Sequence, residues 1–375
     1  MSKQSELVGL ARTTNLDEVN AAYSAGSLSN RNLIINGAMQ VAQRGTSASP
    51  APIGFLIDRF ATFKSGGGAY SIAQSTDAPV GFSHSMLLTV TSASTPSGGD
   101  YYLTQQVIEG YNASVLSLGT SSAQGFTLSF YVKSSLTGTF SGSFRDGVEA
   151  LTYAFEYTIN SANTWERKTV FVDGTSSGTF PTNNTASLKL CFSLGQGTTY
   201  ATSTVGSWTS GSYHGSTTET DFISNSGATL NITGVQLEVG DTATPFEHRS
   251  YGQELALCQR YFEKNFNVFD APVAGLALPD RVSGLAFAGS AYGFNLNFSV
   301  TKRSLPTMVY YRGDTAGSAS SGTVCRFNGV GWVEETITGS GRQTTQFIAQ
   351  DVSTSGLTVG YTYLVQVGFT ADAEL

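Results

Sequence analysis

The chain has 375 residues, of which 13% are charged, with 20 Lys and Arg against 27 Asp and Glu and a formal net charge of −7. An acidic chain whose basic residues are scattered has no cluster to set against a run of phosphates, which excludes a nucleic-acid partner. Its charged share is about half the ordinary one, and 42 Gly and 23 Phe beside abundant Ser and Thr favour strands and turns over helices.

At the N-terminus, MSKQSELVGLAR lacks the apolar core of a signal peptide, and nothing later approaches about 18 continuous apolar residues, so neither secretion nor membrane insertion is expected. Within residues 1–32, Thr14 stands as a capping residue ahead of Asp17 and Glu18, and an apolar periodicity runs through Leu16, Val19, Ala22 and Tyr23. This reads as one short helix, broken at Gly26, Ser27, Ser29 and Asn30. So short a piece buries too little surface to fold alone and is expected to dock onto a partner.

Residues 33–249 alternate apolar and polar side chains in short runs separated by Gly, Ser, Thr and Asn. Phe126, Leu128, Phe130 and Val132 alternate with Thr127, Ser129, Tyr131 and Lys133, one face apolar and the other wet. The same rhythm predicts strands at 85–90, 102–108, 152–159, 166–172, 187–194 and 229–239. Roughly ten such strands exceed one ordinary sheet, and two packed sheets in a jelly roll are the simplest arrangement. The longest predicted loop, 195–221, carries Tyr200, Trp208, Tyr213 and His214 among Ser, Thr and Gly. Long loops of this kind are often functional.

Past Pro245, Tyr251, Leu255, Cys258 and Phe262 fall at helical spacing with Leu257 and Tyr261 on an adjoining face, predicting a connecting helix over 250–264. Strands return in 265–375, at 286–300, 308–311, 324–327, 346–349 and 361–369, as a second β-domain. The expected fold is therefore all-β: a short helical N-terminal anchor, a jelly-roll sandwich, the connecting helix and a C-terminal β-domain. The densest basic groups, 59–64 and Lys302 with Arg303, read as solvated strand ends. Cys191, Cys258 and Cys325 are too dispersed for a zinc site and suit folding in a reducing cytoplasm.

Catalytic constellations were sought by residue type. His84, His214 and His248 have no zinc spacing, and no nucleophile elbow or phosphate loop occurs. Asp146 with Glu149, and Glu219 with Asp221, could in principle cleave glycosides, but acids in turns more often bond their own backbone, so the chain is not expected to be an enzyme. A sugar site needs aromatic faces beside amides and carboxylates, and Tyr101, Tyr102, Trp208 and Tyr213 are its candidate residues.

Three segments together resemble a family of phage tail-fibre and tailspike-like virion proteins whose sandwich looks like a carbohydrate-binding module. They are RNLIINGAMQVAQRGT at 31–46 with Asp58-Arg59-Phe60, ITGVQLEVG at 232–240 continuing through Thr244-Pro245-Phe246-Glu247 into YGQELALCQRY at 251–261, and VTKRSLPT at 300–307 with the terminal ADAEL. Phe60 stands where the family often has Trp, and the first 30 residues match only loosely. The resemblance implies a jelly roll whose first strand, near 33–39, pairs with or close to its last, near 230–239. Within that run Asn36-Gly37 supplies a turn or bulge. It also implies a homotrimer at the virion surface, assembled in the host cytoplasm, attached to other virion proteins through residues 1–32 and binding a host-surface glycan. In such a trimer Leu255, Cys258, Tyr261 and Phe262 would pack between copies. By family analogy Glu238 is a conceivable ligand of a structural calcium; no other cofactor is implied. The alternatives are a head fibre or tail-assembly protein without receptor binding, and a glycan depolymerase.

Overall fold

The computed structural model describes residues 30–267, 281–311, 323–330, 332–354 and 356–375, and in them the chain is all-β apart from short helical pieces. The helix expected before residue 30 lies outside the described residues. The backbone divides into two units, one holding residues up to 40, 48–54 and 60–249, the other 41–47, 55–59 and 250–375. The second unit thus also takes in two short stretches from the part of the chain before residue 60.

The first unit is a jelly-roll sandwich. A six-stranded sheet runs in the order Ser47–Ala48, Ala69–Ser75, Ser85–Ser92, Thr229–Val239, Phe126–Ser134, Glu166–Val172. A seven-stranded sheet runs Trp208–Ser210, Leu151–Ile159, Gly138–Asp146, Ala186–Gln196, Tyr101–Glu109, Ala61–Ser65, Gly54–Phe55. Each strand expected from alternation is present. Gly138–Asp146 is additional: its inner side has only Phe140 and Phe144 around Gly142, where a Cβ would stand 2.3 Å from the Cys191 carbonyl oxygen and 2.5 Å from the Phe155 ring. Between the sheets the aromatic rings meet edge to face, Phe130 against Tyr157 at 5.0 Å and Phe192 at 5.1 Å, and Phe126 against Phe144 at 5.0 Å.

Residues 33–39 form no regular strand, but they lie along the Thr229–Val239 strand, close to it as expected. The backbone bonds Leu33 N–H to Leu237 O (2.9 Å) and Val235 N–H to Gly37 O (3.0 Å), and buried Asn32 completes the ladder. Its amide donates to Val235 O at 3.2 Å and accepts from Leu237 N at 3.0 Å and Ile34 N at 3.0 Å. Asn36 has left-handed φ of 61°, and a Cβ on Gly37 would meet Val235 O at 2.1 Å, so this is the turn that the Asn-Gly pair suggested, pressed against the strand. Asn32→Ala leaves buried backbone groups without partners and is expected to cost roughly 2–3 kcal/mol, read as a lowered midpoint in urea unfolding.

The second unit holds a closed barrel of six strands in the order Arg281–Ala288, Ala291–Asn297, Gln346–Ser353, Trp332–Arg342, Thr323–Phe327, Thr362–Gln366. The single run expected at 286–300 is in fact interrupted by a turn at 289–290. A three-stranded sheet, Phe262–Lys264, Gly368–Asp372, Thr307–Tyr311, completes the unit. The helix spans only Tyr251–Gln259, opened by a Ser250 and Gln253 capping box. It stops there because the next residues enter the sheet: Ala373 N–H bonds Tyr261 O at 2.7 Å and Phe262–Lys264 pairs with Gly368–Asp372.

Arg59 and Lys302, expected to be solvated, are buried. Lys302 bonds Glu263, and Arg59 bonds Glu374 while its guanidinium lies 3.5 Å from the centre of the Tyr261 ring. Arg44 stacks at 3.6 Å on Phe262 and reaches Asp372 at 3.1 Å and Glu374 at 3.3 Å. Asp58 accepts from Gln43 N at 2.6 Å and Gln43 Nε2 at 2.8 Å, and Arg303 donates to Ala373 O and Glu374 O at 2.8 and 2.9 Å. Burial raises the Asp58 and Glu374 carboxyl pKa values, against the opposing pull of the arginines. Cys258, Tyr261 and Phe262 are therefore spent inside the chain and Leu255 is half-buried, whereas Tyr251 and Leu257 are the exposed apolar side chains of the helix. Arg59→Met, which takes from Glu374 one of its two arginine partners, is expected to destabilise this unit by roughly 3 kcal/mol. Adding Glu374→Gln to it should restore part of the loss in denaturant titrations.

Candidate functional site

Along Tyr101–Glu109, Tyr102, Thr104 and Gln106 point into the sandwich: Thr104 Oγ1 meets the Met86 sulfur at 3.8 Å, and Gln106 bonds the Ile35 backbone in both directions at 2.8 Å. Tyr101, Leu103 and Gln105 consequently face outward. The outer side of the neighbouring strands carries Ser141, Cys191 and Ser193, small enough for backbone to approach. The segment 197–221 folds onto that side. Ser216 N–H bonds Ser141 Oγ at 3.0 Å, Gln196 Nε2 bonds Ser216 O at 3.0 Å, and the Cys191 thiol lies 3.7 Å from His214 O. The approach at Gly215 is so close that a Cβ would fall 2.1 Å from Ser141 Oγ.

Glu219 fastens this segment. Its buried carboxyl lies between the hydroxyls of Ser141 and Ser193, the latter at 2.8 Å. Burial pushes its pKa up to about 8, so it is mostly protonated at neutral pH. Next to the segment, where the sheet carries larger groups, a groove of about 370 Å³ remains, within the range of small-ligand sites. Tyr200 and His214 stack in parallel at 4.5 Å, and Tyr101 stands edge-on to both at 5.2 and 5.0 Å. Burial, reinforced by Arg145, drives the His214 imidazole down to about 3, leaving it neutral.

The same groove is lined by a polar cluster. Arg145 donates to Gln105 Oε1 at 2.7 Å and to Glu149 Oε2 at 2.7 Å, Lys189 donates to Glu149 Oε1 at 2.6 Å, and Ser212 Oγ lies 3.3 Å from Glu149 Oε2. Burial opposes the Glu149 charge, but Arg145 and Lys189 outweigh it and hold the carboxyl below its ordinary range. Phe63 and Leu103 complete the lining. The lining combines aromatic rings with an amide, a hydroxyl and charged groups.

Of the four residues expected at a sugar site, Tyr101 lines this groove. Tyr102 is fully buried in the sandwich core, its hydroxyl accepting from Gly68 N at 2.8 Å. Trp208 sits on the edge strand, donating to Asp173 O at 2.7 Å and packed against Tyr153 and Phe180. Tyr213 is half-buried, folded against Gly211 between the groove residues Ser212 and His214. Glu238, considered for calcium, is occupied by Thr244 N (2.9 Å), Thr244 Oγ1 (2.7 Å) and Gln236 Nε2 (2.9 Å), with Arg31 at 3.5 Å. Among the described residues no three acids, histidines or cysteines gather as a metal site. Asp146 holds a turn, accepting from the backbone of Ala150, Leu151 and Thr179 at 2.7, 3.0 and 2.9 Å.

Sequence reasoning missed Phe63, Leu103, Gln105, Arg145 and Ser212. For Arg145 the signal was present, since Thr139 to Arg145 alternates around Phe140 and Phe144 and puts Arg145 on the outward side. Tyr200 and His214 were legible only as aromatics of a long loop.

No family model and no curated protein matches the chain. Among solved structures it is similar to a putative sugar binding protein from Bacteroides thetaiotaomicron VPI-5482, at 14% identity over 56% of this chain and 100% of that chain, with a TM-score of 0.34. It is also similar to a family 11 carbohydrate-binding module from Clostridium thermocellum in complex with a β-1,3-1,4-mixed-linked tetrasaccharide, at 12% identity over 54% of this chain and 97% of that chain, TM-score 0.27. A third similarity is to the enzymatically active domain of bacteriophage CBA120 tailspike protein 4, at 14% identity over 56% of this chain, TM-score 0.30, where the match spans 21% of that chain.

The buried acid makes stability depend on pH. Glu219 in the folded chain titrates at about 8, above its ordinary 4.5, so the folded state retains the proton across that interval. Its contribution is complete below about 4.5 and is lost as pH rises to about 8. His214, lowered from 6.5 to about 3, acts in the opposite sense and costs stability as pH falls through that range. Urea unfolding between pH 6.5 and 8.5 is expected to show wild-type stability falling with pH, and Glu219→Gln flattening that slope.

Proposed function

We propose that the chain is a non-catalytic subunit of a tailed-phage appendage, a tail fibre or spike, that binds a host-surface glycan in the groove on the outer face of the seven-stranded sheet. One observation carries the binding reading: Tyr101, Tyr200 and His214 line one groove together with Gln105, Arg145, Glu149 and Ser212. Sugar rings have apolar faces that stack on aromatics and hydroxyl edges that bond amides and carboxylates, and this groove offers both on a packed sheet. The non-catalytic reading is supported by the state of the acids. Asp146 is consumed by backbone N–H groups, Glu219 is buried and protonated, and Glu149 is bound by two cations.

The phage placement, the virion-surface location and attachment through residues 1–32 rest on the sequence resemblance. The proposed homotrimer is supported by exposed apolar residues of the second unit, Leu285, Phe287 and Leu364 on neighbouring barrel strands, which a further copy would cover. The same exposed residues favour a second reading, in which the chain contacts only other virion proteins as a head-fibre or assembly component.

Titration of purified protein with host envelope polysaccharide in a calorimeter is the direct test. Saturable binding that drops at least about tenfold in Tyr101→Ala is expected, the loss of one stacked aromatic. Failure to bind any host glycan would favour the second reading, and release of reducing ends from the polysaccharide would overturn the non-catalytic one. A monomer in sedimentation at micromolar concentration would remove the trimer.

A further inference from the structure

We infer that the groove selects an acidic glycan, with the carboxylate of a uronic-acid-type sugar set against Arg145 and Lys189. The inference rests on the proposed glycan-binding role of the groove and adds the charge class of the ligand. Arg145 and Lys189 are direct cross-strand partners on Gly138–Asp146 and Ala186–Gln196. Like charges in that position repel, and here water screens them little: the side chains are 3% and 14% exposed. Glu149 alone lies between them, taking Arg145 on one oxygen and Lys189 on the other.

The surrounding groups do not restore balance. Gln105, which accepts from the second Arg145 nitrogen, is neutral. His214 is uncharged, and Glu219, titrating at about 8, is mostly protonated at neutral pH. The cluster therefore carries one surplus positive charge at a recess walled by aromatic rings. The buried Arg145 Nε has no hydrogen-bond partner, and the Lys189 ammonium has two N–H bonds beyond the one given to Glu149. Arg145 and Glu149 line the recess, and Lys189 stands beside them, bound to Glu149. Glu149 is the most exposed member of the trio, with 35% of its side chain open, so an incoming anion approaches the cations beside this carboxylate. A sugar carboxylate supplies the missing charge in a planar form that suits guanidinium and ammonium donors, while its ring lies against Tyr101 or Tyr200.

The test compares oligogalacturonate with its methyl ester, which has the same ring and length without the charge, by calorimetry at low and moderate salt. A neutral mixed-linkage glucan and a sulfated oligosaccharide serve as further arms. The free acid is expected to bind about tenfold more tightly than the ester, with the advantage shrinking as salt rises. Lys189→Gln should bring acid and ester to parity without weakening the ester. Glu149→Gln, which removes the competing carboxylate, should strengthen binding of the acid. Thermal unfolding of both variants reports that they are folded. Equal affinity for acid and ester, or preference for the neutral glucan, overturns the charge assignment and leaves the glycan-binding role intact. Preference for the sulfated ligand over the acid overturns the carboxylate, and absence of binding in every arm overturns the inference together with the role beneath it.

Discussion

The site of the first unit depends on the docking of 197–221 against the outer side of the seven-stranded sheet. An antiparallel sheet with one face on the core leaves the other to water, and most of this outer face would be a flat surface without recesses. Small side chains at Ser141, Cys191 and Ser193 let backbone come close, and Gly215 permits the closest approach. The carboxyl of Glu219 then joins the hydroxyls of Ser141 and Ser193, which also bond Ser216 N–H and Gln196, into one polar network under the segment. Where the small residues end and Arg145, Gln105 and Tyr101 begin, the segment stands off from the sheet, and the gap is the groove.

Charge is used sparingly and locally in this molecule. With 13% charged residues, much of the surface is left to hydroxyls and amides, while a share of the arginines and lysines is drawn inward. In the second unit Arg44 and Arg59 are enclosed between aromatic rings and the acids near the chain end. A planar guanidinium can stack and bond at once, which a solvated strand end would never need. In the first unit Arg145 plays a different part, because one of its neighbours is a second cation and the compensation stops at a single carboxylate. The cluster of the second unit sets three carboxylates against two arginines and holds structure; that of the first unit lies at a recess.

The alternation of apolar side chains was enough to find the sandwich, because a residue's face in a strand is set by its parity and nothing more distant. Asn36-Gly37 likewise announced its turn, since left-handed φ is a local property. Local pattern also placed the helix start at Ser250, but not its end, because Tyr261 and Phe262 keep helical spacing while tertiary partners at Arg59, Arg44 and the last strand recruit them into a sheet. Residues 33–39 carry strand-like alternation, yet the Asn32 side chain supplies bonds that a regular ladder would have made.

The amino-acid sequence by itself determined the all-β class, most of the long sandwich strands, the turn at Asn36 and the presence of a long aromatic loop, each readable from neighbours a few residues apart. Only the tertiary structure decided that Tyr101 faces a groove while Tyr102 is core, that Arg145 and Lys189 stand side by side, and that Glu219 is neutral. Those outcomes depend on which strands lie adjacent and on how much water each group loses. Both are set by contacts between residues far apart in the chain, such as Ser141 with Glu219 and Tyr101 with His214, and no local pattern encodes them.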